Sequence, residues 1–511
     1  MRRHHNQKNQ FMQKMDVSGL ASWLNLKTIS GKEALENRQW QENPKSASYK
    51  FASCKSVLAK TKLNLADDFE KLAEIENKIL PLVKPATDLE KETYSELLFL
   101  SDWSKPLNFI PYLLAIWSVI RIYILPGLSL MLPLLIVIMP YLIIRFIMNV
   151  PLDTKTYWGI LYKMLKGQMP IGPGGEFIAG DQSEMKPTDM FKFLGQIGWV
   201  GTTLFQSIAQ PYWNFKHLRK VDEIISEKGT AVLELIDLYD SIKIKLESIG
   251  IKIFKNPLES GDARLTIASV LADPIPARHC LRLLGQLEVF LALAKNPGIC
   301  PARFVNSETP VLKLNGCFDF NVPGKKQKNF FDIDLSNRFH ALLTGPNRGG
   351  KSTVLRAINA SVNLAHMYGC SFGFDCELTP LTNLFTCLKP DDLPGTKSRF
   401  EREVDFTAGT LRPRGNALIL IDELYHSTNP SDAKEACNFY LDKLWKQPGT
   451  MSIISTHIFD IVEDSDEKVV QRLCCPAEDL GNGRVHFLYG LEHGICKVSS
   501  VHELLVRAGM R

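Results

Sequence analysis

The stretch TGPNRGGKST, residues 344–353, decides how the C-terminal part of this chain folds. Its glycines and the pair Lys351 and Ser352 fit the phosphate-binding pattern G-x-x-x-x-G-K-S. The apolar run FHALL at 339–343 predicts a strand before it, and a helical pattern follows from Thr353. A glycine-rich loop between a strand and a helix is the context in which such a motif cradles phosphate. The sequence therefore predicts an α/β P-loop domain.

The chemistry of this loop assigns roles to its residues. Backbone N–H groups and the helix N-terminus are expected to bind phosphate oxygens, and Lys351 should reach the β- and γ-phosphates. The Ser352 hydroxyl is expected to bind Mg²⁺, so ATP and Mg²⁺ are the predicted cofactors. The residues expected to bind the nucleotide are Gly345, Pro346, Asn347, Gly349, Gly350, Lys351, Ser352 and Thr353.

Two more strand-like runs follow in the order that an ATP-hydrolysing site requires. ALILIDE at 417–423 ends in two acids, which a parallel strand would deliver at the carboxyl edge of its sheet. There Asp422 is expected to hold Mg²⁺, and Glu423 to orient or deprotonate the attacking water. MSIIST at 451–456 precedes His457, which can sense or stabilise the γ-phosphate. Taken alone, each run is more simply interpreted as a structural strand. Because both follow the P-loop in the order that such a site requires, catalytic roles are favoured. The expected catalytic residues are Lys351, Glu423 and His457, and the expected metal ligands are Ser352 and Asp422.

A long apolar block lies upstream. In residues 109–125 only Ser118 and Arg121 are strongly polar, and residues 128–144 carry no charge. Each run is close to the length that crosses a bilayer, and Pro126 with Gly127 between them predicts a turn. Basic residues beyond both outer ends predict a membrane hairpin with the ATPase domain facing the cytosol. The alternative is a very apolar helix pair buried in a soluble core.

Composition narrows the class of protein. A chain of 511 residues with 45% hydrophobic and 23% charged residues is expected to fold into two to four domains. The net charge of +5 is too small to predict nucleic-acid binding by itself. The 11 cysteines form no CxxC pair, which indicates a reducing compartment and no zinc site. The basic N-terminus lacks an apolar region, so it does not predict a secretory signal.

Apolar residues elsewhere recur at helical spacing. Steps of three and four residues at 56–100, 213–249 and 280–294 predict amphipathic helices that form either an arm or a bundle. Residues 151–212, which include GPGGEF at 172–177, are predicted to be rich in loops.

The phosphate-binding motifs resemble those of the MutS-type mismatch-repair ATPases. TGPNRGGKST differs from the family's TGPNMGGKST at Arg348, and IDELYHSTNPSD at 421–432 resembles its DE-x-G-R-G-T-S-x-x-D segment. Tyr425 and His426 stand where the family has Gly-Arg. Three further segments resemble the family's in the same order, so the resemblance covers roughly residues 300–511. These segments are KSRFEREVDFTAGTL at 397–411, STHIFD at 455–460 and YGLEHGICKVSSVHELLVRAGM at 489–510.

The resemblance implies an ABC-type ATPase that works as a homodimer and couples nucleotide binding to DNA. It also implies that Ser398 serves the nucleotide of the partner subunit. Residues before 300 contain no Phe-x-Glu, the wedge with which the family reads mismatches. Two functions therefore stay open: a mismatch-repair-like ATPase that binds DNA, and a membrane-anchored ATPase that acts on a protein or lipid partner.

The expected fold is an α/β P-loop domain of ABC type, C-terminal to a mostly helical region with a transmembrane hairpin. The expected domains are an N-terminal helical region (1–104), the hairpin (105–150), a helical region similar to a lever or core (151–300) and the ATPase domain (301–511).

Overall fold

The chain folds into two compact units in a computed structural model. The first unit contains Met1–Ala73, Ser241–Phe254 and Leu281–Arg511, and the second contains Glu74–Asp240 and Lys255–Cys280. The first unit is therefore assembled from both ends of the chain, and the second is inserted between them. The structure describes residues 15–83, 88–110, 112–165, 187–259, 261–322, 330–388, 398–413, 415–481 and 484–510.

Helices dominate the chain up to residue 295. They comprise Val17–Trp23, Ile29–Glu36, Pro44–Lys60, Ala66–Val83, Asp88–Ser95, a 3₁₀ turn Lys105–Phe109, Leu113–Val119, Leu125–Leu142, Thr154–Leu165, Pro187–Glu247, Ala263–Ala272 and Ile275–Lys295. The amphipathic helices predicted from residues 56, 213 and 280 onward are present, although the first is divided into three.

Strands alternate with helices after residue 298. The strands are β1 (Ile299–Phe304), β2 (Leu312–Cys317), β3 (Phe331–Asp334), β4 (His340–Thr344), β5 (Cys370–Phe372), β6 (Asp375–Leu378), β7 (Asn383–Cys387), β8 (Ala417–Ile421), β9 (Thr450–Ser455), β10 (Val470–Cys474), β11 (Ala477–Gly481), β12 (Arg484–Phe487) and β13 (Glu492–His493). The helices among them are Lys351–Tyr368, Arg399–Thr410, Pro430–Leu444, Phe459–Glu463 and Val501–Arg507.

The central sheet carries the motifs. Its order is β13-β10-β4-β9-β8-β7, and the strands from β10 to β7 are parallel while β13 is antiparallel. β4, β8 and β9 are buried along their whole length, and β8 accordingly has an unbroken aliphatic sequence. A second sheet, β3-β2-β6-β1-β5, is mostly antiparallel and flanks the P-loop helix, which we define as Lys351–Tyr368.

The N-terminal segment packs on the P-loop helix within the first unit. Trp40 donates its Nε1 hydrogen to Asn363 Oδ1 at 2.9 Å, and Arg38 Nε donates to the Met367 carbonyl at 3.1 Å. Gly369, with φ of +75°, ends the helix so close to Ser48 that a Cβ would lie 2.2 Å from the Ser48 nitrogen. The segment up to residue 60 is therefore part of the same folded body as the P-loop.

The apolar block of the second unit is one continuous helical segment. Helical turns run without a break through residues 113–147, so the predicted turn at Pro126 and Gly127 is wrong. The reason is a π-helical turn, Ile120–Ile124, after which the Leu125 N–H donates to the Ile120 carbonyl. Pro126 directly follows this turn, where the wider hydrogen-bond spacing accommodates a residue that lacks an N–H.

This helix is exposed. Among the described residues, Leu113–Met131 is long and apolar enough to cross a bilayer, a test that core helices of soluble proteins also pass. Only 22% of it is buried, however, which is far less than a core helix requires.

The region predicted to be rich in loops also differs. Thr154–Leu165 is helical, and so is the part of the region from Pro187, which belongs to the long helix Pro187–Glu247. Pro211 lies inside this helix. Glycines and a proline suggested loops, but a helix satisfies its own backbone and tolerates them when the run is apolar. Residues 166–186, with the GPGGEF stretch, lie outside the described residues.

A buried histidine ties the P-loop helix to its surroundings. His366 stacks on Trp40 with ring centroids 4.1 Å apart, its Nδ1 lies 3.0 Å from the Val362 carbonyl, and its Nε2 accepts from the Leu381 N–H at 3.0 Å. This arrangement requires the neutral ring with the hydrogen on Nδ1. Burial lowers the pKa of His366 from 6.5 to about 4, and burial does the same to His340 in β4.

These pKa values predict that the first unit loses stability on acidification. Between pH 6.5 and 4 these histidines are protonated in the unfolded chain but stay neutral in the folded protein. The free energy of unfolding therefore decreases as the pH is lowered through this range. Each group contributes up to roughly 3 kcal/mol at 1.4 kcal/mol per unit. His366→Gln should remove roughly half of this pH dependence because His340 keeps its share, and exposed His493→Gln should leave it intact. Denaturant unfolding at several pH values measures both slopes; equal slopes for the two variants would contradict this assignment.

Candidate nucleotide-binding site

The P-loop leaves β4 and enters the P-loop helix in the conformation that phosphate binding requires. Gly345 has φ of +142°, and a Cβ there would lie 2.9 Å from the Cys475 carbonyl oxygen, so only glycine fits. Gly350 caps the helix in the left-handed region with φ of +108°. Arg348 also has a positive φ, +68°, which is uncommon for a residue with a side chain. The loop therefore holds a conformation that its own contacts must support.

Lys351 supplies that support. Its ammonium donates to the carbonyls of Gly345 at 2.8 Å and Pro346 at 3.2 Å, and the residue is 5% exposed. Burial lowers the pKa of Lys351, and the nearby carboxylates of Glu423 and Asp422 oppose that shift. A buried ammonium at the base of the loop provides the charge that polyphosphate needs.

A cavity of about 490 Å³ opens over the P-loop. This volume lies in the range of sites for small ligands. Its lining includes the aromatic side chains of Phe318, Phe331 and Tyr489, and an ion pair joins Arg356 Nε to Asp319 Oδ2 at 3.1 Å. The cavity therefore combines the P-loop with apolar surface suited to a flat aromatic ring.

The two acids follow β8 as predicted, and they differ in their surroundings. Ser455 Oγ donates to Asp422 Oδ1 at 2.7 Å and accepts from the Glu423 N–H at 2.8 Å. This single hydroxyl fixes both acids against the end of β9. Glu423 has φ of +59° and lines the cavity, whereas Asp422 lies behind it near Lys351. The strained backbone thus turns Glu423 toward the cavity.

His457 contacts the second acid. Its Nε2 lies 3.3 Å from Glu423 Oε1, and the hydrogen bond between them is the main cause that lowers the pKa of Glu423. Glu423 is consequently a carboxylate at neutral pH, as a group that orients or deprotonates water must be. The histidine and the acid form one unit at the mouth of the site.

Ser398 lies elsewhere. It caps the helix Arg399–Thr410, where its Oγ accepts from the Glu401 N–H at 3.2 Å and the Glu401 carboxylate accepts from the Ser398 N–H at 2.7 Å. The side chain is exposed and is not among the described residues that line the cavity of its own chain. The cap uses only the acceptor side of the hydroxyl, so its O–H is left to donate.

The structure thus brings most of the predicted residues together. The P-loop members that line the cavity are Pro346, Asn347, Gly349, Gly350, Lys351, Ser352 and Thr353, together with Glu423. Gly345, Asp422 and His457 lie directly behind or beside them. Five further residues line the cavity that no motif predicts: Phe318, Asp319, Phe331, Arg356 and Tyr489. Tyr489 is the first residue of the C-terminal segment that resembles the MutS pattern, but that resemblance assigns it no function. Phe318 and Phe331 lie in or next to the second sheet, which contains no nucleotide-binding motif.

Comparison with known proteins agrees with this geometry. Residues 341–507, from β4 to the last helix, match the family MutS domain V. The human DNA mismatch repair protein Msh6 is 33% identical over 216 residues, which is 40% of this chain and 15% of that protein. The chain is therefore similar to the MutS family within residues 341–507. The matched segment spans a small part of Msh6, so it characterises the domain and not the whole relative.

Two residues in this matched segment differ from the MutS pattern that it resembles, and both lie in the loop after Glu423. Tyr425 has φ of +54°, a conformation that suits the family's glycine, yet it is buried, and its hydroxyl lies 2.6 Å from Thr407 Oγ1. His426 accepts from Arg399 Nη2 at 2.7 Å, and its Nδ1 lies 3.0 Å from the Glu423 carbonyl. Both substitutions therefore attach the loop to the helix that Ser398 caps.

The position of Glu423 predicts that it is needed for hydrolysis rather than for binding. Glu423→Gln keeps the size of the side chain and removes its basicity, so Mg·ATP should still bind while turnover falls on the order of 100-fold or more. Glu435→Gln, an exposed residue on the following helix, is the matched control and should have normal turnover. Unchanged turnover in Glu423→Gln, measured at saturating ATP, would remove Glu423 from the mechanism.

Proposed function

We propose that this chain is a Mg²⁺-dependent ATPase of MutS type that is active as a homodimer. The observation that carries the proposal is that Lys351 and Glu423 line one cavity at the carboxyl edge of the central sheet and that His457 contacts Glu423. A buried ammonium, a carboxylate and a histidine at the end of a P-loop are the groups that phosphoryl transfer to water uses.

Different parts of the cavity suit different parts of the nucleotide. The triphosphate lies on the P-loop with Lys351 exchanging its two carbonyl partners for phosphate oxygens, which releases the loop from its present hydrogen bonds. Ser352 and Asp422 would hold Mg²⁺, which would supply positive charge to the β- and γ-phosphates. The adenine ring lies toward Phe318, Phe331 and Tyr489, where apolar surface favours it.

Glu423 and His457 act on the water. The Glu423 carboxylate orients the water for attack on the γ-phosphate, and His457, which shares a hydrogen bond with it, keeps the carboxylate charged and in place. The bond from the β,γ-bridging oxygen to phosphorus breaks as the bond from water forms, and the water's proton passes to Glu423 or to phosphate.

The dimer completes the site. Ser398 is exposed at a helix N-terminus outside its own cavity, so a second subunit must bring it to a γ-phosphate. The hydroxyl and the helix N-terminus behind it both favour an anion. Each active site is then built from the P-loop of one chain and Ser398 of the other.

This arrangement predicts rescue between two inactive chains. Ser398→Ala and Lys351→Ala should each lose ATP turnover, and an equal mixture should regain roughly a quarter of the wild-type rate if the chains pair at random. Each mixed dimer then keeps one intact composite site.

The helix cap requires a control. Ser398→Asp keeps an N-cap acceptor but has no hydroxyl to donate, so it should also be inactive alone and rescued by Lys351→Ala. Ser431→Ala, at the start of the next helix, should have normal activity. Turnover that stays absent in every mixture would contradict a site shared between subunits.

A DNA partner is proposed from the relative alone, whose name places it in DNA mismatch repair. Affinity for duplex DNA that falls steeply with salt would support this partner, since phosphate contacts release counterions.

A second candidate function is favoured by the apolar helix. Residues 113–147 form a helix about 50 Å long at 1.5 Å per residue, and its large apolar side chains face outward, among them Leu128, Met131, Leu135 and Phe146. We therefore also propose that the ATPase is attached to a membrane by this helix, with the catalytic domain on the cytosolic side. Exposed apolar surface of this extent needs lipid or protein around it.

Membrane attachment predicts resistance to alkaline carbonate. The full-length protein should stay in the membrane pellet after carbonate washing, because its apolar helix lies in the hydrocarbon and not on charged headgroups. Release into the supernatant by carbonate alone would contradict this attachment.

A further inference from the structure

We propose that two segments of the second unit, residues 122–144 and 193–215, cross the membrane side by side in opposite directions. We call these the outgoing span and the return span. The proposal rests on the membrane attachment proposed above and specifies its form. It replaces the hairpin expected within residues 109–147, because that block is a single helix.

Contacts at the base of the two helices set their register. The rings of Tyr123 and Phe215 are 5.7 Å apart. Two residues away on each helix, Arg121 Nε donates to the Glu96 carbonyl at 3.3 Å and His217 Nε2 lies 3.5 Å from Glu96 Oε1. From the Glu96 contacts to the ring contact, the residue number rises from 121 to 123 on one helix and falls from 217 to 215 on the other. The two helices are therefore antiparallel.

The uncharged parts of the two helices coincide in this register. Residues 122–144 contain no charged residue or histidine and are bounded by Arg121 and Arg145. Residues 193–215 are likewise uncharged and are bounded by Lys192 and Lys216. Extending the register from the base places position 145 level with position 193. Each run is about 35 Å long at 1.5 Å per residue, which matches the hydrocarbon core of a bilayer.

Aromatic residues mark both ends of the pair. At the base lie Tyr123, Tyr212 and Trp213, and at the far end the rings of Tyr141 and Tyr157 are 5.1 Å apart beside Trp158. Tyrosine and tryptophan favour the two interfaces of a bilayer, where an apolar ring meets a polar edge. From Tyr123 to Tyr141 is about 27 Å along the helix.

The exposed side chains of the two spans favour lipid rather than a protein partner as their surroundings. Between these aromatic ends the exposed side chains that the structure describes are uncharged, such as Leu128 at 59% exposed on the outgoing span and Phe205 at 69% on the return span, where Gln206 and Gln210 are exposed as well. Arg121, which bounds the outgoing span, stacks on Trp117 and binds Glu96 outside it. An uncharged band bounded by aromatics and charges at one thickness fits a bilayer.

The connectivity of the chain requires an even number of crossings. The first unit contains residues up to Ala73 and residues from Leu281 onward, and these fold together. One crossing would leave the two parts on opposite sides of the membrane. The return span brings the chain back, so that the first unit forms on one side and the described residues 148–165 lie on the other.

Protease sites inserted singly and together after Leu152 and after Gly250 test this topology. The full-length protein is reconstituted into phosphatidylcholine vesicles with one fifth phosphatidylserine, floated after a carbonate wash, and treated with protease. In either orientation of insertion, each intact chain should be cut at one site and never at both, and detergent should expose the second site. Double cutting in sealed vesicles would overturn the paired spans, whereas failure to float would overturn membrane attachment itself.

A charge in the return span provides a matched comparison. Phe205→Lys should prevent the second crossing and leave both sites on one side, so doubly cut chains should appear in sealed vesicles. Ser226→Lys, on the same helix beyond the span, should behave as the parent. Both variants should bind Mg·ATP in detergent, which reports a folded first unit. Identical cleavage of the two variants would contradict the return span.

Discussion

The parallel pairing of β4, β9 and β8 is the constraint on which the site depends. Leu343 in β4 pairs with Ser455 in β9, and Ile454 pairs with Ile421 in β8, so the three strands end at one edge of the sheet. The residues that follow them are the P-loop, the two acids and His457. Because side chains alternate along a strand, a slip of one residue would turn Asp422 or Ser455 into the core. Three fully buried strands make such a slip very unfavourable.

Strain at this edge is held by specific contacts. Arg348, Glu423 and Tyr425 all have left-handed backbone conformations, which cost on the order of 1 kcal/mol or more each. Lys351 holds the P-loop through two carbonyls, and Ser455 holds the acids through one hydroxyl. The ring of Tyr425 packs against Phe400 with centroids 5.6 Å apart, so the strained loop is fixed to the helix that begins after Ser398. Movement of Glu423 would therefore displace the helix that carries Ser398, the residue proposed to contact a partner subunit.

Much of the ATPase domain is predictable from sequence because its motifs impose local geometry. GPNRGGKS requires its glycines, and ALILIDE reads as a buried strand because both faces of β8 are covered. The aromatic side of the cavity was not predictable, since Phe318 and Phe331 reach it only through the pairing of distant strands in the second sheet. The turn at Pro126 was predicted wrongly because local propensity cannot detect the π-helical turn that accommodates the proline. The proposed return span is inconspicuous in the sequence because glutamines and glycines dilute its apolar character. It was proposed only from contacts such as that of Tyr123 with Phe215.

Two proposed features are connected: a nucleotide site shared by two chains, and a pair of helices that holds both chains in one membrane. Confining chains to a surface raises their effective concentration without any new contact. The most direct test measures ATP turnover per chain in vesicles at a fixed amount of protein while the lipid-to-protein ratio is varied. Turnover per chain should rise as the surface density rises and reach a plateau when all chains are paired, and it should fall when the protein is diluted in detergent. Turnover per chain that is independent of density over a 100-fold range, down to less than one chain per vesicle on average, would contradict an active site built from two membrane-bound subunits.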